Sequence, residues 1–488
     1  MSTGFMISAP SSGSGKTVVT LVLLALLKRK GYVPAAFKAG PDYIDPMYHR
    51  AVTGEASHNL DTYLADEQTV ETVFEKYSTG HDISVVEGAM GYYDGIGGIS
   101  TDASAYDVAR LLGLPVILVV TSKGTALTDA AVIKGMKEFR PDSGIHGVIL
   151  NKCSRNLYER MKPVLEKEAG IPVLGYLPSN ADADFPSRHL GLCTAGEISD
   201  LQERIERLAA LAEGTIDTEK ILGMTRSCDL RYNTYLSEDV PVRHDPFKDN
   251  SSDDNSLDDN SSDDNSSHDR PLIAVARDES FCFTYDESID ILKEMGADIS
   301  FFSPLNDTAL PEGADALYLP GGYPELYLEK LSGNEAMLNE IRLAAKDHMP
   351  IVAECGGYMY LCRGIMDDDG RCYKMAGLLP GILKKTSGLV RFGYASLQAN
   401  EESLLFEKGD SIRIHSFHHF DPESNEDDER GDAFSFCKAS DKSEWKEGFA
   451  GSNLYAAFPH IYFPGCRKAV QRMIRAAIAF HKEREAQG

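Results

Sequence analysis

The sequence is poor in basic residues: its 488 residues include 49 Lys and Arg against 75 Asp and Glu, a formal net charge of −26. This imbalance argues against nucleic acid or an anionic membrane as a partner. The chain also lacks a long apolar run, since its longest, residues 18–27, is interrupted by Thr20 and is shorter than the roughly 20 residues of a bilayer span. Residues 1–15 do not resemble a secretory signal, so we expect a cytoplasmic protein.

The cysteines lack the spacing that is typical of disulfide frameworks and zinc sites. The nine cysteines are an odd number, and none forms a Cys-x-x-Cys pair. This excludes the usual patterns of a disulfide framework or a zinc site. We therefore expect mostly buried thiols, with at least one candidate for reactivity.

A low-complexity segment divides the chain. Residues 250–269 read NSSDD, NSLDD, NSSDD and NSSHD in succession, with almost no apolar surface to bury. Such a segment cannot offset the entropy lost on ordering, so we predict a disordered acidic linker over residues 237–270. It separates a first domain, residues 1–236, from a second, residues 271–488.

Both halves alternate short apolar strands with helices. In the first half the pattern predicts strands at 4–8, 33–38, 82–86, 114–120 and 147–150, with helices at 16–30 and 154–170. In the second it predicts strands at 272–276, 316–319 and 351–353, with helices near 288–295 and 468–484. This alternation indicates two α/β domains built on parallel sheets.

The first strand runs into a phosphate-binding sequence. Residues 8–17 read SAPSSGSGKT, in which Gly13 and Gly15 let backbone N–H groups surround an anion at a helix N-terminus. Lys16 would reach the β- and γ-phosphates of ATP, and Thr17 would place its hydroxyl on Mg²⁺. Pro10 stands where the usual motif has its first glycine.

Carboxylates follow two further strands of the first half. Residues 38–46 read KAGPDYIDP and residues 87–95 read EGAMGYYDG. Loops at the carboxyl ends of parallel strands form the ligand crevice of an α/β sheet, and carboxylates there can hold Mg²⁺. We therefore expect a common site at the nucleotide, formed by Lys38, Asp42, Asp45, Glu87 and Asp94.

The second half contains a candidate nucleophile. Cys355 lies in ECGGYMYL, residues 354–361, where a strand meets a helix and a sharp turn would favour an exposed thiolate. The LPGGYPE segment, residues 319–325, offers backbone N–H groups of Gly321, Gly322 and Tyr323 to an oxyanion. Spacing alone does not choose the base among the histidines of this half, which are His415, His418, His419 and His460.

Taken together, these motifs resemble the cobyrinate a,c-diamide synthase family, in which a dethiobiotin-synthetase-like, P-loop ATP domain precedes a class I, flavodoxin-like glutamine amidotransferase domain. The most specific match is KAGPDYIDP, supported by the segments at Glu87 and Cys355. The resemblance implies that ATP activates two acetate carboxylates of cobyrinate as acyl phosphates, with Mg²⁺ on Thr17 and Glu87. Ammonia released from glutamine by Cys355 would then form the amides.

The resemblance also assigns residues that the spacing leaves open. It implies His460 as the base of Cys355 and Asn151 as the residue that recognises adenine. The implied partners are L-glutamine and a tetrapyrrole carboxylic acid, with no nucleic acid and no membrane, and a homodimer is compatible with them.

The sequence departs from the pattern of relatives at two places. Amidotransferases of this class usually carry His-x-Glu, whereas Tyr462 stands at that spacing here, and the family that the chain resembles also lacks the Glu. Ile414 and Ser416 replace a Gly and a Glu of a segment associated with the corrinoid. Alternatives are therefore the same chemistry on nickel-sirohydrochlorin or another carboxylate, a cobyric acid synthase, or a P-loop regulatory protein with a decayed amidotransferase domain.

Overall fold

The computed structural model describes residues 3–188, 191–225, 270–423 and 430–487. The predicted linker, residues 237–270, lies outside the described residues except for Arg270. Within the described ranges, no helix combines the length and the apolar character that a membrane span needs.

The first half forms one seven-stranded parallel sheet in the order β3-β2-β4-β1-β5-β6-β7. Its strands are β1 (Gly4–Ser8), β2 (Pro34–Ala39), β3 (Ser57–Leu60), β4 (Ile83–Glu87), β5 (Val116–Thr121), β6 (Ile145–Asn151) and β7 (Val173–Leu177). The helices are α1 (Lys16–Arg29), α2 (Ile44–Thr53), α3 (Glu67–Ser78), α4 (Ala105–Leu111), α5 (Thr128–Glu138), α6 (Arg155–Ala169) and α7 (Leu201–Ala212). A short antiparallel pair, β8 (Ser187–Arg188) and β9 (Gly191–Leu192), follows β7.

Helix α1 lies in the core of this half. Its residues from Val19 to Leu27 are all buried, so the apolar run that is too short for a membrane span packs inside the domain. Gly15 in the left-handed conformation precedes the helix, and Lys28 and Arg29 in the last turn complement its dipole. The helix therefore begins at the phosphate-binding sequence and points its N-terminus at the ligand crevice.

The second half contains a six-stranded sheet in the order β11-β10-β12-β13-β21-β20, parallel except for β20. Its strands are β10 (Leu272–Ala276), β11 (Asp298–Phe302), β12 (Ala316–Leu319), β13 (Ile351–Glu354), β20 (Phe449–Gly451) and β21 (Leu454–Ala457). The helices are α8 (Asp286–Glu294), α9 (Leu328–Gly333), α10 (Glu335–Lys346), α11 (Gly356–Leu361) and α12 (Arg467–Gln487). The prediction of two successive α/β units is confirmed.

A third, mainly antiparallel sheet of the second half was not predicted. It consists of β14 (Cys362–Met366), β15 (Cys372–Lys374), β16 (Leu379–Ala399), β17 (Ser411–Pro422), β18 (Phe434–Lys438) and β19 (Glu444–Glu447). The expectation of parallel sheets alone is therefore wrong for this segment. Strands β16 and β17 are paired from Leu383, opposite Pro422, to Gln398, opposite Ser411. Strand β17 contains His415, His418 and His419.

Buried polar contacts join the two halves. The hydroxyl of Tyr394 on β16 donates to Asp61 Oδ2 at 2.6 Å, and that of Tyr462 donates to the Asn59 carbonyl at 2.9 Å. The Glu287 carboxylate of α8 accepts a hydrogen bond from the Asn59 N–H at 2.9 Å. These contacts lie beside the carboxyl ends of β2 and β3, so the second half covers the ligand crevice of the first.

Candidate active sites

The phosphate-binding loop depends on glycine at one position in particular. Gly15 has φ 90°, and a Cβ built there would lie 2.1 Å from Asn151 Nδ2. Both the conformation and the close approach exclude other residues. Gly13, with φ 75°, has open space around it, so only its conformation favours glycine.

Asn151 lies beneath this loop at the end of β6. Its Nδ2 donates to the Ser14 carbonyl at 2.9 Å, and its Oδ1 accepts from the Lys152 N–H at 2.9 Å. Thr121 Oγ1 donates to the same Ser14 carbonyl at 3.0 Å. The side chain of Asn151 therefore supports the loop, and its role in adenine recognition stays a prediction.

Lys16 is folded over the loop. Its Nζ donates to the carbonyl oxygens of Ser11, at 3.3 Å, and Met90. Burial, with Lys38 nearby, lowers the pKa of Lys16 to about 8. A phosphate in the loop would offset this desolvation with negative charge.

Lys38, Thr17, Asp45 and Glu87 meet at the carboxyl ends of β2 and β4. Lys38 Nζ lies 2.5 Å from Asp45 Oδ2 and 3.2 Å from Glu87 Oε1. Thr17 Oγ1 donates to Glu87 Oε1 at 2.7 Å and to Asp45 Oδ1 at 3.3 Å. Of the predicted common site, Lys38, Asp45 and Glu87 therefore meet beside the phosphate-binding loop, together with Thr17.

Burial and mutual charge shift the pKa values of this cluster. Burial, reinforced by Glu87, raises the pKa of Asp45, and the charge of Lys38 opposes this shift. Burial would also raise the pKa of Glu87, but Lys38 and hydrogen bonds from His49 and Thr17 hold it well below its usual range. Burial disfavours the charged Lys38, yet Asp45 and Glu87 raise its pKa. The cluster therefore keeps a charged lysine and an ionised Glu87 away from water.

Asp42 and Asp94 have local partners. Asp42 Oδ1 accepts from the N–H groups of Ile44, at 2.7 Å, and Asp45, at 3.0 Å, at the start of α2. Asp94 Oδ2 accepts from the Gly91 N–H at 3.0 Å and lines a cavity beside the phosphate-binding loop. Both lie at the predicted edge of the sheet, outside the ion-paired cluster.

His49 belongs to the cluster but was not singled out in the sequence. Its Nε2 lies 2.8 Å from Glu87 Oε2 and its Nδ1 lies 2.9 Å from Ser57 Oγ, with the side chain fully buried. The available signal was spacing, because His49 follows Asp45 by one helical turn on α2.

In the second half, Cys355 occupies a strained turn between β13 and α11. Its φ of 45° and ψ of −103° are unusual for a residue with a side chain. Two residues later, position 357 requires glycine, because a Cβ there would lie 2.0 Å from the Leu319 carbonyl oxygen. This tight packing holds the thiol at the N-terminus of α11. The expectation of an exposed thiol is wrong, because Cys355 is 4% exposed and packed in the turn.

His460 is the histidine placed beside this cysteine. A Cβ built on Gly321 would lie 3.3 Å from Cys355 Cβ and 2.4 Å from His460 Cε1, so the three residues converge. Burial alone would lower the pKa of His460, but Cys355 and Glu354 raise it to about 9.

The other candidate histidines have different surroundings. Burial lowers the pKa of His415 to about 3, with a further contribution from His460. The ring of His418 stacks on Phe458 at 3.9 Å. His419 lies on β17, and its carbonyl accepts from Thr386 Oγ1 at 2.8 Å. The structure thus places His460 beside Cys355, and its role as the base stays a prediction.

The predicted oxyanion site has fewer free N–H donors than the sequence suggested. The Tyr323 N–H donates to the Ser280 carbonyl at 2.9 Å, so it is not free to bind an oxyanion. Gly321 and Gly322 remain beside Cys355, and a Cβ on Gly356 would lie 3.0 Å from the Gly322 nitrogen.

Comparisons with known proteins agree with this geometry. Residues 272–467 match the CobB/CobQ-like glutamine amidotransferase domain, and residues 36–187 match an AAA domain. A cobyrinate a,c-diamide synthase of Caldanaerobacter subterraneus is 37% identical over 98% of this chain and 99% of its own length. Synthases of the same name from Listeria innocua, at 38% over 94% and 96%, and Priestia megaterium, at 34% over 98% of each chain, are also similar.

The chain belongs to the cobyrinate a,c-diamide synthase family. It is accordingly a glutamine-dependent ligase with a P-loop domain followed by an amidotransferase domain.

In this family member an aromatic residue lies between the two sites. Tyr43, in the loop that carries Asp42 and Asp45, stacks on Tyr285 at 4.4 Å and Phe283 at 5.0 Å between ring centroids. The same ring lies 5.1 Å from that of His460. The sequence places Tyr43 in the KAGPDYIDP motif but contains no signal of this contact with the other half.

Proposed function

We propose that this protein amidates the a and c acetate side chains of cobyrinate in corrinoid biosynthesis, using ATP and L-glutamine. The observation that carries this proposal is similarity along almost the whole chain to relatives named for that reaction. The two assembled clusters support it, because one suits phosphoryl transfer and the other suits amide hydrolysis. A homodimer stays a prediction.

Residues 271–488 would release ammonia. Cys355 Sγ attacks the side-chain carbonyl carbon of glutamine after its proton passes to His460, and Gly321 and Gly322 face the resulting oxyanion. His460 returns the proton to the leaving nitrogen as the C–N bond breaks, which gives ammonia and a thioester. Water then hydrolyses the thioester to glutamate and restores the thiol.

Residues 1–236 would activate the carboxylate. Hydroxide is a poor leaving group, so a carboxylate oxygen first takes the γ-phosphoryl group of ATP to form an acyl phosphate. Lys16 and Lys38 would stabilise the charge on the transferring group. Ammonia then displaces phosphate, and each turnover forms one amide.

The donors of the first cluster suit Mg²⁺. The Thr17 hydroxyl and the Glu87 carboxylate offer hard oxygen ligands next to the phosphate-binding loop, with Asp45 close by. Bound Mg²⁺ would neutralise charge on the phosphate oxygens.

The substitutions at positions 414 and 416 do not favour another substrate. Ile414 and Ser416 are fully buried. The Ser416 hydroxyl lies 3.2 Å from His418 Nδ1. Neither side chain is exposed to a ligand, so we expect both substitutions to have little effect on the choice of acid.

The proposal is tested by incubating the protein with ATP, Mg²⁺ and glutamine together with cobyrinate or, separately, nickel-sirohydrochlorin. We expect cobyrinate to give first a monoamide and then a diamide in the mass spectrum, with one ATP consumed per amide. Cys355→Ala should abolish the glutamine-dependent reaction but retain amidation with ammonium. Amidation of nickel-sirohydrochlorin alone would refute the assigned substrate, and glutamine hydrolysis without amidation of either acid would point to a different carboxylate.

A further inference from the structure

Glu354 is a buried carboxylate beside the imidazole of His460. It ends strand β13, directly before Cys355, and is 1% exposed. Its Oε2 lies 3.8 Å from His460 Nδ1. That separation is an ion-pair distance and longer than a hydrogen bond.

Two hydrogen bonds hold this carboxylate in place. The Tyr318 hydroxyl donates to Oε2 at 3.1 Å, and the Ile461 N–H donates to Oε1 at 3.2 Å. The second donor directly follows His460, so Glu354 is tied to the backbone of the segment that it would orient. Because these anchors leave lone pairs on both oxygens, Oε2 can still accept a hydrogen bond from an imidazole.

The second feature is the hydrogen bonding of the His460 ring. Within the part of the chain that the structure describes, neither ring nitrogen of His460 makes a hydrogen bond, although the residue is only 1% exposed. A buried imidazole that becomes charged during catalysis needs a compensating group. Glu354 is the carboxylate within ion-pair distance of it.

Tyr462 occupies the position from which other amidotransferases of this class orient the histidine with a glutamate, but its side chain points away from His460. Tyr462 stands two positions after His460, where amidotransferases of this class usually have glutamate. Its hydroxyl donates to the Asn59 carbonyl in the first half of the molecule.

The sheet fixes this arrangement. Glu354 pairs with Ala457 in the parallel register of β13 and β21, so both strands end together and His460 follows three residues later. The His460 N–H donates to the His415 carbonyl at 2.8 Å, which anchors the backbone of His460 on β17.

We propose that Glu354 is the positioning residue of His460 in glutamine hydrolysis, replacing the glutamate that is absent at position 462. When His460 takes the proton of Cys355, the Nδ1–H of the imidazolium would close on Glu354 Oε2. The carboxylate holds the ring orientation and stabilises its positive charge, and it does not itself take the proton. Catalytic hydrogen bonds are often long in a free enzyme and tighten with substrate.

Other titratable groups face the same imidazole. Cys355 and Tyr43 lie against it, His415 pairs with its backbone, and His418 lies close enough for the charge of His460 to contribute to its lowered pKa. Burial lowers the pKa of His415 and His418, so both are neutral near pH 7. Glu354 and the Cys355 thiolate are therefore the negative charges available to an imidazolium here.

The test measures glutamine hydrolysis and the alkylation of Cys355 by iodoacetamide across pH in Glu354→Gln. We expect glutamine hydrolysis to fall by roughly 100-fold or more, as for other histidines that lose an orienting carboxylate. The alkylation profile should shift, because loss of the carboxylate lowers the pKa of His460 and disfavours the thiolate–imidazolium pair. Glu354→Asp should recover part of the activity.

Controls separate this role from a structural one. Glu329→Gln removes an exposed carboxylate of the same domain and should match the parent protein. Amidation with ammonium should persist in Glu354→Gln. Hydrolysis within threefold of the parent, or a loss of activity with an unchanged alkylation profile, would overturn the proposal.

A second variant covers the case in which Glu354→Gln does not fold. Tyr318→Phe keeps the carboxylate but removes one anchor of Oε2, so we expect a several-fold loss with a shifted alkylation profile; an unshifted profile would count against Glu354. The inference rests on the glutaminase part of the proposed function and not on the acid amidated. Absence of glutamine hydrolysis in the parent protein would instead defeat the proposed function.

Discussion

At the residue scale, the nucleotide site balances two lysines against carboxylates in a volume that excludes water. Lys38 has close ion pairs with Asp45 and Glu87, whereas Lys16 donates only to neutral carbonyls in the free protein. The same burial therefore has opposite outcomes: the pKa of Lys38 rises and that of Lys16 falls. Above about pH 8, Lys16 therefore depends on an incoming phosphate to stay charged.

This difference predicts a pH dependence for ATP. Lys16 is charged below its pKa of about 8 and loses its proton above it. Because kcat/KM reports the free enzyme, kcat/KM for ATP should fall toward tenfold per pH unit above about 8. The measurement is the initial rate of amidation with ammonium from pH 6.5 to 9.5. The total ammonium is adjusted at each pH so that the concentration of unprotonated ammonia stays constant.

Two comparisons identify Lys16 as the titrating group. Lys16→Arg stays charged over this range, so its lower kcat/KM should not decline further above pH 8. Glutamine hydrolysis without ATP, measured in the same buffers, should follow a different profile. A parent profile that is flat to pH 9.5 would contradict the prediction.

At the element scale, strand ends explain which site residues the sequence could predict. Lys38 and Glu87 lie at the ends of neighbouring parallel strands, so motif position was enough to bring them together. His49 was missed although it follows Asp45 by one helical turn. Glu354 was missed because its partner is brought near by pairing across the fold. No spacing along the chain indicates that Glu354 faces His460, which lies more than one hundred residues away.

The third sheet was missed for a different reason. Strands at 272–276 and 316–319 were predicted as the structure has them, because they are short, apolar and buried. Strand β16 is 21 residues long and includes the exposed polar stretch KKTSG, residues 384–388. Its order depends on pairing with β17, which a search for apolar runs does not detect.

The close packing of α11 on β12 gives a second prediction. In Gly357→Ala the new methyl group would meet the Leu319 carbonyl at 2.0 Å, so α11 must move and carry Cys355 with it. Overpacking of this kind costs about 1–3 kcal/mol in the free energy of unfolding. We expect glutamine hydrolysis to fall at least tenfold, while amidation with ammonium persists.

A matched glycine serves as control. Gly333, at the end of α9 in the same domain, has nothing within 4 Å of a built Cβ. Gly333→Ala should leave both activities and the unfolding midpoint close to those of the parent. Equal behaviour of the two variants would show that the contact with Leu319 does not position the nucleophile.

At the scale of the whole molecule, the two sites are joined through one loop. Asp45 in this loop is ion-paired with Lys38, while Tyr43 two residues earlier packs against Phe283, Tyr285 and His460 of the other half. The Tyr285 hydroxyl donates to the Pro41 carbonyl at 3.2 Å, which ties the loop to the second half again. The loop that carries Asp45 is therefore in direct contact with the surroundings of His460.

This connection predicts that Tyr43 couples glutamine use to amide formation. In Tyr43→Ala the stack with Phe283 and Tyr285 is lost, so glutamine hydrolysis should continue while a larger share of its ammonia escapes. We expect the ratio of glutamate to amide formed, near one in the parent, to rise several-fold, with little change in the rate of amidation by ammonium. Tyr43→Phe retains the ring and should keep the ratio of the parent. If Tyr43→Ala lowered both activities equally and left the ratio unchanged, the residue would support the fold of the interface and not the transfer between sites.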